Sequence, residues 1–361
     1  DELTPILAGA ARIREVGGVQ RNVVGRRFAK GEEIAQGSGG RRVAERTEAP
    51  KGGHGGEVYR ALGTGTLRHV ESGKVHGAFI DLGDRLLDAL LPPVDQVPGR
   101  LHEAMRYACL APGKRIRPSL VLASAQAVGG RAEDALDAAC AVEMVHAFSL
   151  IHDDLPAIDD DDLRRGRPTC HIVFGEGLAI LAGDALFGLA FETLSHAQTG
   201  PETAVAALRS LSVAVGSLGL VGGEVVDVMS EGVPVDAETL SIIHRRKTGA
   251  LIRCACELGA LFGGADAGQV ASMKAYGESI GLAFQIVDDI LNEVGTEEEL
   301  GKAAGSDQAR AKATYPALFG LEESRSQAFA LAEQGQRELD SLPGDTAFLM
   351  EIARYTVARS R

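Results

Sequence analysis

The chain has 361 residues, a length that fits one large domain or two ordinary ones. Hydrophobic residues make up 45% and charged residues 24%, and the formal net charge of −13 argues against a general nucleic-acid-binding protein. Five cysteines without a disulfide framework predict a reducing, cytoplasmic location. The best apolar run, residues 178–191, is interrupted by Asp184, so we expect no membrane-spanning helix and no stable membrane insertion.

Residues 1–77 differ in composition from the rest of the chain. They contain 16 of the 45 glycines, with 13 basic and 9 acidic residues. Such a segment buries little apolar surface to offset its ordering entropy. We therefore predict a Gly-rich, flexible N-terminal extension of unknown role, followed by one domain over residues 78–361.

From residue 78 onward the hydrophobic pattern is helical almost throughout. Leu82, Leu86 and Leu90 recur at helical spacing, and Pro92 with Pro93 ends this first helix. Further helices are predicted over residues 101–110, 134–155, 175–197, 202–231, 236–262, 267–294, 312–334 and 346–359. Because strand-like alternation is scarce, the sequence predicts an all-α fold, a single large helical bundle around a central cavity.

An acidic and amide stripe lies on the helix predicted for residues 267–294. Gln285, Asp288, Asp289 and Asn292 fall at i, i+3, i+4 and i+7, along one face. A solvent-exposed stripe fits this spacing too. The absence of a lysine partner at helical spacing nevertheless favours a cation site.

A second acidic run follows the helix predicted for residues 134–155. Asp153, Asp154 and Asp159 crowd its C-terminal end, where the helix dipole disfavours carboxylates, and Arg164 with Arg165 comes next. Mg²⁺ commonly bridges carboxylates to substrate phosphates, and guanidinium groups bind phosphate oxygens. This order of residues predicts a magnesium–diphosphate site, although a charged surface loop has the same composition.

Smaller basic motifs and one histidine accompany the two acidic runs. His146 precedes Asp153 by two helical turns, so both lie near one face of the helix. The other motifs are Gly113-Lys114-Arg115-Ile116-Arg117-Pro118, Lys247-Thr248-Gly249 and Gly301-Lys302. Each alone also fits a structural histidine or a solvated basic turn. Together they indicate two anion sites and one magnesium site, for two phosphorylated substrates or a substrate and a product.

In their order along the chain, these motifs resemble those of bacterial short-chain isoprenyl (polyprenyl) diphosphate synthases. Residues 78–361 carry the resemblance and are most like farnesyl diphosphate synthase. It implies a Mg²⁺-dependent prenyltransferase, usually a homodimer, that condenses isopentenyl diphosphate with dimethylallyl or geranyl diphosphate to give farnesyl diphosphate. It also implies that residues 355–361 form a basic tail that closes over isopentenyl diphosphate.

The resemblance also assigns roles to individual residues. The implied metal ligands are Asp153, Asp154, Asp159, Asp288 and Asp289. The implied allylic-diphosphate ligands are Arg164, Lys247, Thr248, Gln285 and Lys302. The implied isopentenyl-diphosphate ligands are Lys114, Arg117, His146 and Arg165. The implied catalytic set is Asp153, Asp159, Arg164, Lys247, Asp288 and Lys302.

Product length is predicted from Phe148, five residues before Asp153 and about 7–8 Å along the helix. An aromatic residue there goes with farnesyl product in the family and would form the floor of the product cavity; an ordinary core residue is the alternative. Three positions depart from the family pattern: Asn292 replaces an aspartate, Glu224 a glutamine and Pro112 a small residue. The alternative functions are a geranylgeranyl diphosphate synthase, a terpene cyclase or a weakly active regulatory subunit.

Overall fold

The structure is a computed structural model that describes residues 75–294 and 313–359. Within these residues the chain is helical apart from one short antiparallel hairpin, in which Leu163 pairs with Pro168. This architecture confirms the predicted all-α class. Most of residues 1–77, Gly301 and Lys302, and the last two residues of the predicted tail lie outside the described residues, so the predictions made for them remain predictions.

The described helices are numbered here in chain order. Before the hairpin they are α1 Val75–Leu90, α2 Gly99–Cys109, α3 Ile116–Ala127, the 3₁₀ turn Ala132–Ala135 and α4 Leu136–Asp153. The hairpin strands are β1 Leu163–Arg164 and β2 Arg167–Pro168. The middle helices are α5 Cys170–Phe174, α6 Glu176–Ser195, α7 Pro201–Val215, α8 Leu220–Met229 and α9 Ala237–Ile243. The π-helical segment His244–Gly249 leads into α10 Ala250–Phe262, and α11 Ala267–Val294 follows. The last helices are α12 Tyr315–Phe319, α13 Leu321–Leu339 and α14 Ala347–Ala358.

Helix α4 lies at the centre of the core. Of its 18 residues 14 are buried, including small side chains such as Ala139 and Ala141 on opposite faces. A helix that is apolar all round is stable only when other elements enclose it. Its last turn approaches α6 so closely that a Cβ atom on Gly183 would lie 2.3 Å from His152 Nε2. Glycine at this position therefore lets α6 pack against the end of α4 that carries the acidic run.

Several predicted helix boundaries were wrong. The helix predicted over residues 202–231 is interrupted between α7 and α8, where a Cβ atom on Gly219 would lie 2.1 Å from Ala214 O. The helix predicted over residues 312–334 is divided at Gly320, which has a φ of +81°, and α13 continues to Leu339. Helices α3 and α5 were not predicted.

The expectation that no apolar stretch is long enough to cross a membrane was also wrong. By length and composition alone, three stretches qualify: Ala132–Asp153, Glu176–Ser195 and Pro201–Met229. The first is 83% buried within the protein, whereas the other two are 39% and 33% buried. The five cysteines are free and buried.

Candidate active site

The loop after α4 folds back and brings the carboxylates of the first acidic run together. The backbone N–H of Asp159 donates to Asp153 O at 2.8 Å, which returns Asp159 to the end of the helix. Burial, together with the negative charges of Glu224 and Asp159, raises the pKa of Asp153 to about 7, while Lys247 opposes the shift. Asp153 therefore lies in a partly desolvated acidic environment.

The ammonium group of Lys247 lies between two carboxylates of α8. Its Nζ is 2.8 Å from Glu224 Oε2 and 2.7 Å from Asp227 Oδ2. Burial alone would lower the pKa of Lys247, but the charges of Asp227, Glu224 and Asp153 outweigh burial and raise it. Helix α8 reaches this position because a Cβ atom on Gly223 would lie only 2.2 Å from Lys247 N. Gly223 therefore lets α8 approach closely enough for Glu224 and Asp227 to contact Lys247.

Asp154 is held by Arg164 from the hairpin. The carboxylate is buried, and Arg164 places its Nε at 2.7 Å and its Nη2 at 2.6 Å from Asp154 Oδ1. Burial raises the pKa of Asp154, and the ion pair with Arg164 opposes that shift. The two side chains therefore neutralise each other. The predicted roles of Asp154 in metal binding and of Arg164 in diphosphate binding remain predictions.

The two aspartates of α11 have different partners. Asp288 pairs with Arg359 at 2.9 Å, at the end of α14. Asp289 accepts a hydrogen bond at 2.8 Å from the backbone N–H of Tyr315, and His244 Nε2 lies 3.3 Å from the same oxygen. Asp288 thus remains partly exposed, whereas Asp289 joins α11 to the π-helical segment and to α12.

The other predicted side chains of this part of the site lie on the same two segments. Gln285 is half-buried on α11, and Thr248 is half-buried within the π-helical segment. Asn292, the departure from the family pattern, is buried. The structure describes no hydrogen bond for Gln285 or Thr248, so their predicted contacts to the allylic diphosphate remain predictions.

The predicted cationic group gathers around His146. Arg117 Nη1 lies 3.3 Å from His146 Nε2, in donating position, and Arg165 Nη1 donates to Pro112 O at 2.7 Å. Burial, reinforced by the charge of Arg117, lowers the pKa of His146 well below its usual range, so the imidazole is neutral and accepts from Arg117. The charges of Asp153 and Asp288 both act on the Arg117 guanidinium. Both acidic runs therefore lie within electrostatic range of Arg117, and their predicted role in one metal site remains a prediction.

Lys114 and its neighbour Arg115 behave differently. Lys114 is exposed, with its Nζ 6.0 Å from the centre of the Tyr355 ring. Arg115 is buried, and bonds Glu143 at 2.5 Å and Asp84 at 2.8 Å. This pairing was not predicted from the sequence. One signal was available, because Glu143 lies one turn before His146 on the same face of α4.

The proposed floor residue, Phe148, lies in an aromatic cluster below the acidic run. Its ring centre is 5.1 Å from that of Phe187 on α6 and 5.0 Å from that of His152, both edge-on. Phe191 lies behind Phe187 at 5.1 Å. The side chain is buried. Phe148 is therefore both a core residue and the first of three successive rings leading away from Asp153.

A pocket between α2, α4 and the hairpin borders the cationic group, because His146, Asp154 and Arg165 contribute to its lining. Its walls include Tyr107, Leu150 and Pro168. The arginines that reach it are engaged within the protein. Arg164 pairs with Asp154, and the Arg167 guanidinium lies 4.5 Å from the centre of the Tyr107 ring.

A family model described as polyprenyl synthetase matches residues 98–342. The chain belongs to the polyprenyl synthetase family. It is 47% identical over 268 residues to a heterodimeric geranylgeranyl pyrophosphate synthase large subunit 2 from Arabidopsis thaliana, which covers 73% of this chain and 71% of the relative. It is 47% identical over 266 residues to a chloroplastic geranylgeranyl pyrophosphate synthase from Catharanthus roseus, with 73% and 74% coverage.

Solved structures of this polyprenyl synthetase family show the same fold. An FPP/GFPP synthase from Zymomonas mobilis is 39% identical, with a TM-score of 0.68, and covers 79% of this chain and 97% of its own. A putative farnesyl-diphosphate synthase from Marinomonas sp. MED121 is 37% identical, with a TM-score of 0.67 and coverage of 80% and 100%. The chain is therefore a prenyltransferase of the isoprenoid synthase type, as the sequence motifs predicted.

Proposed function

We propose that the protein is a Mg²⁺-dependent prenyltransferase that joins isopentenyl diphosphate to dimethylallyl or geranyl diphosphate and releases farnesyl diphosphate. The observation that carries this proposal is the region shared by the two acidic runs. Asp153 and Asp288 both act on Arg117, and Lys247 lies beside Asp153. Two substrates that carry diphosphates would meet both cations and metal-binding oxygens there.

The donor set fits magnesium. Asp153, Asp159 and Asp288 would hold the ion, because hard divalent cations prefer carboxylate oxygens. Among residues 75–294 and 313–359, no three acidic, histidine or cysteine side chains form a complete metal site by themselves. Substrate phosphate oxygens would complete the coordination, as is usual for Mg²⁺. Bound there, the metal would supply neutralisation of the diphosphate leaving group.

The chain's own cations divide between the two substrates. Lys247 lies beside Asp153 and would bind the allylic diphosphate, while Arg117 and Arg165, on the other side, would bind isopentenyl diphosphate. His146 stays neutral there because of its lowered pKa. The allylic C–O bond breaks, the isopentenyl double bond attacks the allylic carbon, and the released diphosphate accepts the proton. A terpene cyclase needs no second anion site, so this cationic group favours condensation.

Farnesyl diphosphate is proposed as the product because Phe148 and Phe187 stack edge-on across the expected direction of chain growth. Two aromatic rings, one behind the other, would block elongation of the prenyl product at a short length. Geranylgeranyl diphosphate is the second candidate, favoured by the relatives from Arabidopsis thaliana and Catharanthus roseus, whose names give that product. Both products come from the same chemistry and differ only in the number of additions.

We also propose that the enzyme is cytoplasmic and works as a homodimer through α6, α7 and α8. These helices expose apolar side chains, including Leu181 at 56%, Val213 at 52% and Met229 at 76%. Extended apolar surfaces usually mark an interface. Two relatives are named as heterodimer subunits, so a related partner is the alternative to a second copy. Sedimentation of the purified protein tests this, and a monomer would contradict it.

One incubation tests the catalytic proposal. Purified protein receives dimethylallyl diphosphate, labelled isopentenyl diphosphate and Mg²⁺, and the products are sized by chromatography. We expect label in farnesyl diphosphate, at least a 100-fold rate loss for Asp288→Asn, and little change for Glu278→Gln, which removes another carboxylate of α11 paired with Arg245. Hydrocarbon formed from an allylic diphosphate alone would favour a cyclase, and no incorporation of label would contradict the proposal.

A further inference from the structure

We propose that Glu224 holds Lys247 away from incoming diphosphate, so that this lysine binds phosphate only when a divalent cation arrives with it. The inference deepens the proposed function and depends on the same site. It concerns a side chain that the comparisons give no role. Glu224 acts here as a positioning residue, because it works through Lys247 rather than on the reacting atoms.

Glu224 and Asp227 both contact the ammonium group of Lys247. Lys247 Nζ donates a hydrogen bond to Asp227 Oδ2 at 2.7 Å and forms an ion pair with Glu224 Oε2 at 2.8 Å, so two carboxylates surround the ammonium group. The Glu224 and Lys247 side chains are only 12% and 23% exposed. In such a partly desolvated place an ion pair is screened less than at the surface. A phosphate oxygen must therefore compete with Glu224 for this ammonium group.

Both carboxylates belong to the same part of α8. Glu224 and Asp227 are three residues apart on α8 and therefore lie on one face of that helix. Gly223 presses the same turn of α8 against the backbone of Lys247, where a Cβ atom would lie 2.2 Å from Lys247 N. A movement of α8 carries both carboxylates together, so Lys247 Nζ leaves them only when its own side chain rotates or when another charge replaces them.

The charges around Lys247 also disfavour the binding of a bare diphosphate. The charges that act on Asp153 come from Glu224 and Asp159 on the negative side and from Lys247 and Arg164 on the positive side. Arg164 is already paired with Asp154. Around Lys247, the carboxylates of Asp227, Glu224 and Asp153 outnumber the single ammonium group, so a bare diphosphate that approaches this lysine meets net negative charge. A cation that arrives with the diphosphate offsets that charge and binds the Glu224 carboxylate, which leaves Lys247 Nζ for a phosphate oxygen.

The test measures binding of inorganic pyrophosphate to the full chain by titration calorimetry, in EDTA and in saturating MgCl₂. In EDTA we expect Glu224→Gln to bind pyrophosphate about tenfold more tightly than the wild type. This change corresponds to about one additional charge-assisted hydrogen bond from Lys247 to the ligand. In MgCl₂ we expect the two affinities to agree within about twofold. The control Glu257→Gln removes a similarly buried carboxylate, 14% exposed and 3.2 Å from Lys274, outside the site, and should match the wild type in both buffers.

A double-mutant cycle separates the effect on Lys247 from general electrostatics. In a Lys247→Met background, Glu224→Gln should no longer tighten pyrophosphate binding in EDTA, because the contested ammonium group is gone. Glu224→Ala carries the same prediction if Glu224→Gln does not fold by circular dichroism. Equal affinities of wild type and Glu224→Gln in EDTA, or a tightening that persists unchanged in MgCl₂ or without Lys247, would overturn the proposal. Pyrophosphate binding needs no turnover, so failure of the proposed condensation would appear separately, as a wild type that incorporates no label.

Discussion

Replacing Phe148 by alanine tests whether this ring limits the product. Phe148 lies five residues before Asp153, so its ring is about 7–8 Å along α4 from the acidic run. The next ring, Phe187, has its centre 5.1 Å further away, and Phe191 lies 5.1 Å behind that one. The cavity would therefore deepen by about one ring layer, to Phe187, and no further. We expect Phe148→Ala to shift the product from farnesyl to geranylgeranyl diphosphate.

The stability cost of Phe148→Ala also follows from the structure. Loss of a buried phenylalanine typically costs about 3–5 kcal/mol, and each of its two edge-on ring pairs contributes about 0.5–1.5 kcal/mol. A side chain that borders a product cavity should fall at the low end of that range. We therefore expect the variant to fold at 25 °C with a lower free energy of unfolding than the wild type, so that its product can still be measured.

The assay sizes products from dimethylallyl and labelled isopentenyl diphosphates, with circular dichroism to confirm folding. Phe262→Ala is the matched control, because Phe262 is also 8% exposed but lies on α10. It should lose stability without changing the product. The double variant Phe148→Ala with Phe187→Ala should extend the product beyond geranylgeranyl length. A folded Phe148→Ala protein that makes the wild-type product would refute the hypothesis that Phe148 forms the floor of the product cavity. Phe148 would then be a core residue only.

Three further predictions concern the acidic runs. First, the pKa of Asp153 is raised from 3.8 to about 7, so the folded protein holds this proton more tightly than the unfolded chain. The protonated carboxyl of Asp153 stabilises the folded state by at most about 4 kcal/mol. This stabilisation is complete below about pH 4 and is lost as the pH rises to about 7. Thermal unfolding in EDTA should show this loss of stability between about pH 4 and pH 7, and Asp153→Asn should remove most of this pH dependence. Second, Arg164→Gln leaves Asp154 buried and unpaired and should lower the unfolding free energy in urea by about 3 kcal/mol; a second change, Asp154→Asn, should restore part of it, and simple additivity would contradict the pairing. Third, Gly223→Ala places a Cβ atom 2.2 Å from Lys247 N and should lower the free energy of unfolding in urea, whereas Gly188→Ala, with nothing within 4 Å of its added Cβ atom, should not lower it.

The sequence predicted the helices that carry the acidic runs because their patterns are strong. Helix α11 shows polar residues on one stripe and apolar residues elsewhere, and α4 is long and rich in small apolar residues. Helix α3 was missed for the opposite reason. Nine of its twelve residues are buried, so no polar face alternates with an apolar one. The π-helical segment His244–Gly249 was also invisible, since its residues read as one continuous helix with α9 and α10.

The chemistry of the site was predicted more completely than its internal contacts. Asp153, Asp159 and Asp288 stood out because acidic residues crowd where a helix disfavours them or repeat along one face. Their partners could not be predicted, because the pairing of Asp288 with Arg359 joins residues 71 positions apart, and no local pattern encodes it. The hydrogen bond from Tyr315 to Asp289 is similar, since it depends on where α12 begins after a long connection.

The exposure of the Asp154–Arg164 and Asp288–Arg359 ion pairs indicates which aspartate supports the structure of the site and which can exchange its partner. The side chain of Asp154 is 5% exposed and receives two nitrogens of Arg164, so exchange would leave a buried charge uncompensated. The side chain of Asp288 is 38% exposed, and its partner Arg359 comes from the last described turn of the chain. Water and ions can reach Asp288, and its ion pair is correspondingly weak. Asp288 is therefore the aspartate best placed to leave its partner for a metal ion, whereas Asp154 is best placed to hold the hairpin that positions Arg165.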